Sequence, residues 1–289
     1  MAAGVAAVAD RTAFAAGRWE MRLSTSSVMF NLLPVEEAVA RIASLGFEGV
    51  DFWQGESFRV KHLEEAADRL GPDGLKKLLA KHKLKLCSFT CFSIPIDRYA
   101  EMLGKAGEGQ GFLIRESRYY GQSAGKSGGA VRTTDLGELG KQMRSLMESL
   151  KPQLELADKY DFQIAIENHR GALLSSMDSF KVFLELANHP RIGIALAPYH
   201  LQADKIPVED VIAQCGKRIL YFYAWQYEKG VNQLPGFGSA DFTPWLAALA
   251  RSNYAGWVNP FMHGENPPDE MAKALIKSKS YLEQCRAKT

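Results

Sequence analysis

The sequence predicts a single α/β domain, a (β/α)₈ TIM barrel, over residues 21–289. Three observations carry this reading. From Met21 onward, a short apolar segment is followed by a stretch with helical spacing, eight times over. Several of the apolar segments are continuous runs rather than alternating ones, as in parallel strands covered on both faces. The first ends in Ser24, Thr25, Ser26 and Ser27, without the glycine-rich turn of a doubly wound open sheet, the rival architecture. A barrel of this kind uses about 250 residues as one domain.

Each unit has its own signals. MRLSTSS is the first strand. PVEEAVARIASLG follows, with Pro34 at a helix start, Gly46 at its stop, and Val35, Ala38, Val39, Ile42 and Leu45 at helical spacing. FEGVDFW and LKLCSFT are the second and third strands, separated by the helix GPDGLKKLLAKH. IDRYAEMLGKAG is helical, and GFLIRES is the fourth strand. The long helix TTDLGELGKQMRSLMESLKPQLELADKYD carries Pro152, a candidate bend. FQIAIE, RIGIALAP, RILYFYAW and GWVNPFM are strands five to eight. The helices after them are SSMDSFKVFLELANH, VEDVIAQCG, DFTPWLAALARSN and PDEMAKALIKSKSYLEQCRA.

Residues 1–20 stand apart. Their alanine-rich start reads either as a flexible tail, giving a cytoplasmic protein, or as the remnant of an export signal. Hydrophobic residues at 46% and charged residues at 24% exclude a disordered chain. No run reaches the roughly 18 apolar residues of a membrane span. A net charge of +2 gives no global field toward nucleic acid or membrane. Cys87, Cys91, Cys215 and Cys285 are too scattered for a disulfide framework and read as buried thiols. A homo-oligomer is compatible with the fold.

Barrel enzymes place their chemistry at the carboxyl ends of the strands. Those ends hold Ser26 and Ser27; Asp51 and Trp53; Thr90; Glu116 and Arg118; Glu167 to His169; Tyr199 and His200; Trp225 and Gln226; Asn259 and His263. Glu167 is the leading catalytic candidate, because a carboxylate ending the apolar run IAIE is costly to bury without a task. An ion pair with Arg170 or Arg118 is its structural alternative. His200, behind Tyr199, is the second catalytic candidate. Substrate contacts are expected from Asp51, Trp53, Glu116, Arg118, His169, Trp225, Gln226, Asn259 and His263. Asp51 could equally cap a helix, and the two tryptophans could be core. His62, His82 and His189 read as solvated or capping residues. The loop 116–132 reads as a glycine-rich lid. It lacks the spacing of a phosphate loop, because Tyr120 stands where a glycine is required. Arg115, Arg118 and Lys126 form a solvated charge cluster or touch an anionic substrate. Gly236 and Gly238 of LPGFG read as turn residues after Pro235.

Several segments carry a resemblance. LGFEGVDFW, IAIENHRG, IGIALAPYH, LPGFGSADFTPWLAAL and YAGWVNPF resemble, in order and spacing, the sugar-phosphate isomerase/epimerase family of xylose isomerase-like TIM barrels. The likeness spans residues 21–285. It implies proton transfer between neighbouring carbons of a small carbohydrate, with one divalent metal held by Glu, Asp, His and Glu after strands five to eight. Carried over by position, Glu167 matches the first ligand and His200 matches the family's substrate-contacting His. The Asp position falls on Ala197, the His position near Tyr223 or Ala224, and the last Glu on Asn259. Alanine offers no ligand atom, and asparagine is a poor ligand and no base. Two alternatives follow for a cofactor: one ion of manganese, zinc or magnesium on Glu167, His200 and His263, or none, which the lost ligands favour.

With Asn259 in place of the second acid/base, elimination from a keto-sugar stands beside isomerisation or epimerisation. A non-catalytic sugar-binding barrel is the rival reading. The superfamily's apurinic-site endonucleases need many metal-binding histidines and a basic face. Six histidines and a charge of +2 argue against that branch.

Overall fold

A computed structural model describes residues 19–92, 95–117 and 132–289. Eight parallel strands close on themselves: β1 (Arg22–Ser26), β2 (Gly49–Gly55), β3 (Lys85–Thr90), β4 (Phe112–Glu116), β5 (Gln163–Glu167), β6 (Ile192–Leu196), β7 (Ile219–Ala224) and β8 (Trp257–Pro260). Each pairs with its sequence neighbour, and β1 pairs with both β2 and β8. This is the predicted barrel. A two-residue strand, Val60–Lys61, adds an antiparallel flap to the end of β2.

The helices form the outer layer. In α1 (Val35–Ser44), Val35, Ala38, Val39 and Ile42 are buried, as their spacing requires. Helix α2 (His62–Arg69) is absent from the sequence reading and precedes α3 (Gly71–His82). Helix α4 (Asp97–Gly107) follows β3. Helix α5 (Leu136–Tyr160) starts on Asp135, whose carboxylate accepts the Glu138 backbone N–H, and continues through Pro152. Ser176 and Ser179 form a reciprocal capping box at the start of α6 (Met177–Leu186). Two helices fill the next connection, α7 (Pro198–Ala203) and α8 (Val208–Cys215), and α9 (Thr243–Arg251) and α10 (Pro268–Ala287) complete the ring.

Trp19 belongs to the folded body: its indole N–H donates to Tyr254 O at 2.6 Å, and Arg286 donates to its carbonyl. The rest of the predicted tail, residues 1–18, lies outside the described residues, as do Arg118, Lys126 and most of the predicted lid. The four cysteines are buried and free. Among the described residues no helix is long and apolar enough to cross a membrane.

Register decides which side chains enter the barrel. Paired residues on neighbouring strands share a face. The pairs Ser26–Asp51, Asp51–Ser88, Trp53–Thr90, Thr90–Ile114, Glu116–Glu167 and Tyr223–Asn259 follow. Thr90 Oγ1 lies 3.3 Å from the hydroxyl of Tyr223, on β7, across the barrel interior. That contact makes its face the inner one, so Ile114, and with it Glu116 and Glu167 two residues further along their strands, point inward as well.

Candidate active site

The mouth is built in two levels. The lower level is a closed hydroxyl network around Asp51, which is fully buried. Ser26 donates to its Oδ2 at 2.7 Å, the Trp53 indole N–H donates to the same oxygen, and Thr90 donates to Oδ1. Burial pushes the Asp51 carboxyl up to about 6, partly offset by these donors and by Ser88. The sequence offered Asp51 as a substrate contact. The structure corrects this, because both oxygens are spent on the protein's own donors and none of its surface is open.

Asn259 receives the same correction. Its amide donates to Ser24 and to the Tyr221 hydroxyl, its oxygen lies 3.3 Å from Ser26 Oγ, and it is wholly buried. Tyr223 lies beside it, with its hydroxyl 3.3 Å from Thr90 Oγ1. Burial and the charges of Asp51 and Glu167 hold that phenol well above its ordinary pKa, so it stays protonated.

The upper level holds the two leading candidates. Glu167 ends β5 and His200 lies in α7, and both are almost buried. His200 Nε2 is 3.9 Å from Glu167 Oε1. The His169 ring lies 3.9 Å from the His200 ring. Just behind Glu167, Asn168 exchanges two hydrogen bonds with the Ala197 backbone, at 2.6 and 3.1 Å, locking the end of β5 to the end of β6.

Aromatic rings continue around the mouth. Trp225 stacks on Tyr199 at 4.0 Å and meets His200, Phe261 and His263. Trp53 stacks on Phe261 and packs edge-on against Phe58 and Phe92. The structure thus gathers Glu167, His169, His200, Trp225, His263 and Trp53 at one opening. Glu116, one strand from Glu167, adds a second inward carboxyl group. Burial, and then the positive potential of His169, lower the His263 pKa to about 4.

Gln226 is turned into the protein and wholly buried. Its side chain donates to Leu234 O and accepts from the Ala240 N–H, both at 2.8 Å, inside the loop that the sequence marked as LPGFG. Gly238 has no room for a side chain there: a Cβ would sit 2.6 Å from the Gln226 carboxamide. Gly236 takes the left-handed φ of +78° that its turn needs. Arg115 is buried and donates to Cys91 O rather than lying in a solvated cluster. His62 is buried, with Nε2 2.8 Å from Leu33 O, and burial lowers its pKa.

Sequence reasoning missed Gln233. Its Oε1 accepts from the Trp225 indole at 2.8 Å and from the His263 N–H at 3.1 Å, while its Nε2 donates to His263 O. One side chain therefore holds two walls of the mouth. No local signal identifies it, because its partners come from two separate strand ends.

Three of the four positions that match the family's metal ligands hold weak donor atoms or none. They hold the methyl group of Ala197, the hydrogen-bonded phenol of Tyr223 or the methyl group of Ala224, and the engaged amide of Asn259. Trp225 touches His200 and His263, and among the described residues no three His, Cys, Asp or Glu side chains group closely enough to hold an ion.

Comparison with known proteins agrees with this architecture. Residues 39–284 match the family model described as xylose isomerase-like TIM barrel. Solved structures with a similar fold include a 3-keto-D-glucoside 4-epimerase from E. coli, with TM-score 0.68 and 14% identity, covering 90% of this chain and 100% of that one. A D-psicose 3-epimerase, in the presence of D-fructose, gives TM-score 0.66 and 12% identity over 92% and 97% of the two chains. A probable 3-DHS dehydratase from Bacillus anthracis gives TM-score 0.65 and 14% identity over 90% and 98%. No curated protein sequence matches.

Proposed function

The chain belongs to the xylose isomerase-like TIM barrel family, and on that premise we propose that it acts on a small carbohydrate by moving a proton at a carbon next to a carbonyl, without the family's metal. The observation that carries this is the buried Glu167–His200 pair at a mouth walled by aromatic rings. Glu167 is the general base. A carboxylate held in a partly dry pocket is a stronger base than one in water. His200 binds the substrate oxygen beside the reacting carbon. Trp225, Trp53 and Phe261 pack on Tyr199 and on one another to form an apolar wall beside the pair.

Glu116 is the second proton carrier in this reading. It faces inward one strand from Glu167, so the two carboxyl groups address one substrate from adjacent positions. A base and a neighbouring acid on one side suit elimination: Glu167 takes the proton and Glu116 protonates the departing hydroxyl. Epimerisation instead needs a proton delivered to the opposite face, and Asn259, engaged below the site, cannot deliver one. The solved structures of similar fold include both epimerases and a probable dehydratase, so both outcomes have precedent in this fold. The test is a panel of keto-sugars and 3-keto-glycosides followed by NMR. Loss of water from at least one member, abolished by Glu167→Gln, supports the reading. Binding of several members with turnover of none would make the chain a sugar-binding barrel.

A further inference from the structure

A cavity of about 420 Å³ opens at the opposite end of the barrel, where the strands begin. In TIM barrels that end serves stability, and the interior is filled by side chains. A solvent-open concavity of small-molecule size at that end is therefore a candidate ligand site in its own right.

The lining is chemically one-sided. It holds Arg22, Arg191 and Lys217 and no carboxylate. Arg191 is already neutralised by Asp158 and Asp161 at 2.8 Å. The Arg22 guanidinium lies 3.9 Å over the Trp257 ring and donates to the Ala255 carbonyl, which spends no charge. Lys217 is exposed, and no carboxylate lies within ion-pair distance of it among the described residues. In a chain of net charge +2, two uncompensated cations facing one cavity make a local positive potential. Gln110, Gln163 and Asn253 add neutral amides, and Phe112 adds an apolar wall. The wall is preformed: the Tyr254 hydroxyl donates to Trp257 O at 2.7 Å.

We propose that this cavity binds a phosphate monoester, with the dianion held between Arg22 and Lys217 and the organic body packed against Phe112 among the amides. A guanidinium fork and an ammonium point charge together match the charge and the oxygens of a phosphate dianion. The site is separate from the barrel mouth and does not depend on the reaction proposed there.

Calorimetric titration of the full chain with phenyl phosphate, inorganic phosphate and benzoate, at low and at moderate salt, tests this. Phenyl phosphate binds saturably, more tightly than either of the others, and more weakly as salt rises. Lys217→Ala, at an exposed position that leaves the melting temperature unchanged, weakens it at least fivefold, and Lys217→Glu weakens it further. His200→Ala, at the mouth, leaves it unchanged. Absence of saturable binding, equal binding by benzoate, or a loss that follows His200 rather than Lys217 would overturn the proposal.

Discussion

His200 Nε2 stands 3.9 Å from Glu167 Oε1, although one residue ends β5 and the other lies in the helix after β6. The pairing of Asn168 with the Ala197 backbone, between the two, fixes that separation. Strand geometry alone therefore sets the spacing of the pair.

Glu167→Gln removes the base while keeping shape and hydrogen-bonding capacity. Turnover of any active keto-sugar falls by at least about 10³-fold, within the range set by general-base catalysis, and binding changes little. Steady-state kinetics with a parallel binding titration checks this, and a loss confined to KM would argue that Glu167 only binds.

Glu116→Gln separates the two proton carriers. Exchange of the substrate's acidic hydrogen with solvent continues, because Glu167 remains. Loss of water slows by about 10²-fold, as expected for a missing general acid. Exchange and elimination falling together would show that Glu116 is not the acid.

Asp51 and His263 pull stability in opposite directions as pH changes. The folded-state pKa of Asp51, about 6, lies above its ordinary 3.8. Its contribution is complete below pH 3.8 and is lost as pH rises through 6, about 3 kcal/mol in all. The folded-state pKa of His263, about 4, lies below 6.5. Its contribution is complete above pH 6.5 and is lost as pH falls toward 4, again about 3 kcal/mol. Urea unfolding of Asp51→Asn relative to the parent therefore shows a steeper loss on acidification between pH 7 and 4. His263→Gln shows the reverse. Parallel pH curves for all three proteins would refute the assignment.

Gln233→Ala strips the partner from the buried Trp225 indole and frees the His263 backbone. Leaving a buried donor unpaired costs about 2 kcal/mol. Chemical denaturation reads that loss, and tryptophan emission shifts because the indole loses its acceptor. A change below about 0.5 kcal/mol would place the clamp outside the stability of the mouth.

The barrel was legible because its strands are apolar runs ending in polar residues, a pattern that burial on both faces imposes. Glu167 stood out as a candidate for the same reason, and His200 by its place just after strand six. Helix α2 was not: in HLEEAADR only His62, Leu63 and Ala66 are buried, too short a stripe to stand out. Asp51 and Asn259 were misread because a polar residue near a strand end can serve the mouth or the interior. Only register and the reach of Ser26, Thr90 and Tyr221 decide between them. Gln233 was invisible because its role exists only once residues 225 and 263 meet.

The central claim is base catalysis by Glu167 without a metal. It is tested most directly by hydrogen–deuterium exchange at the carbon beside the carbonyl of a bound keto-sugar. The exchange is followed by NMR in D₂O, on protein stripped with chelator and checked by elemental analysis. Exchange that persists in the stripped protein and disappears in Glu167→Gln is the predicted result. Exchange that appears only when manganese, zinc or magnesium is restored, or that survives in Glu167→Gln, would contradict it.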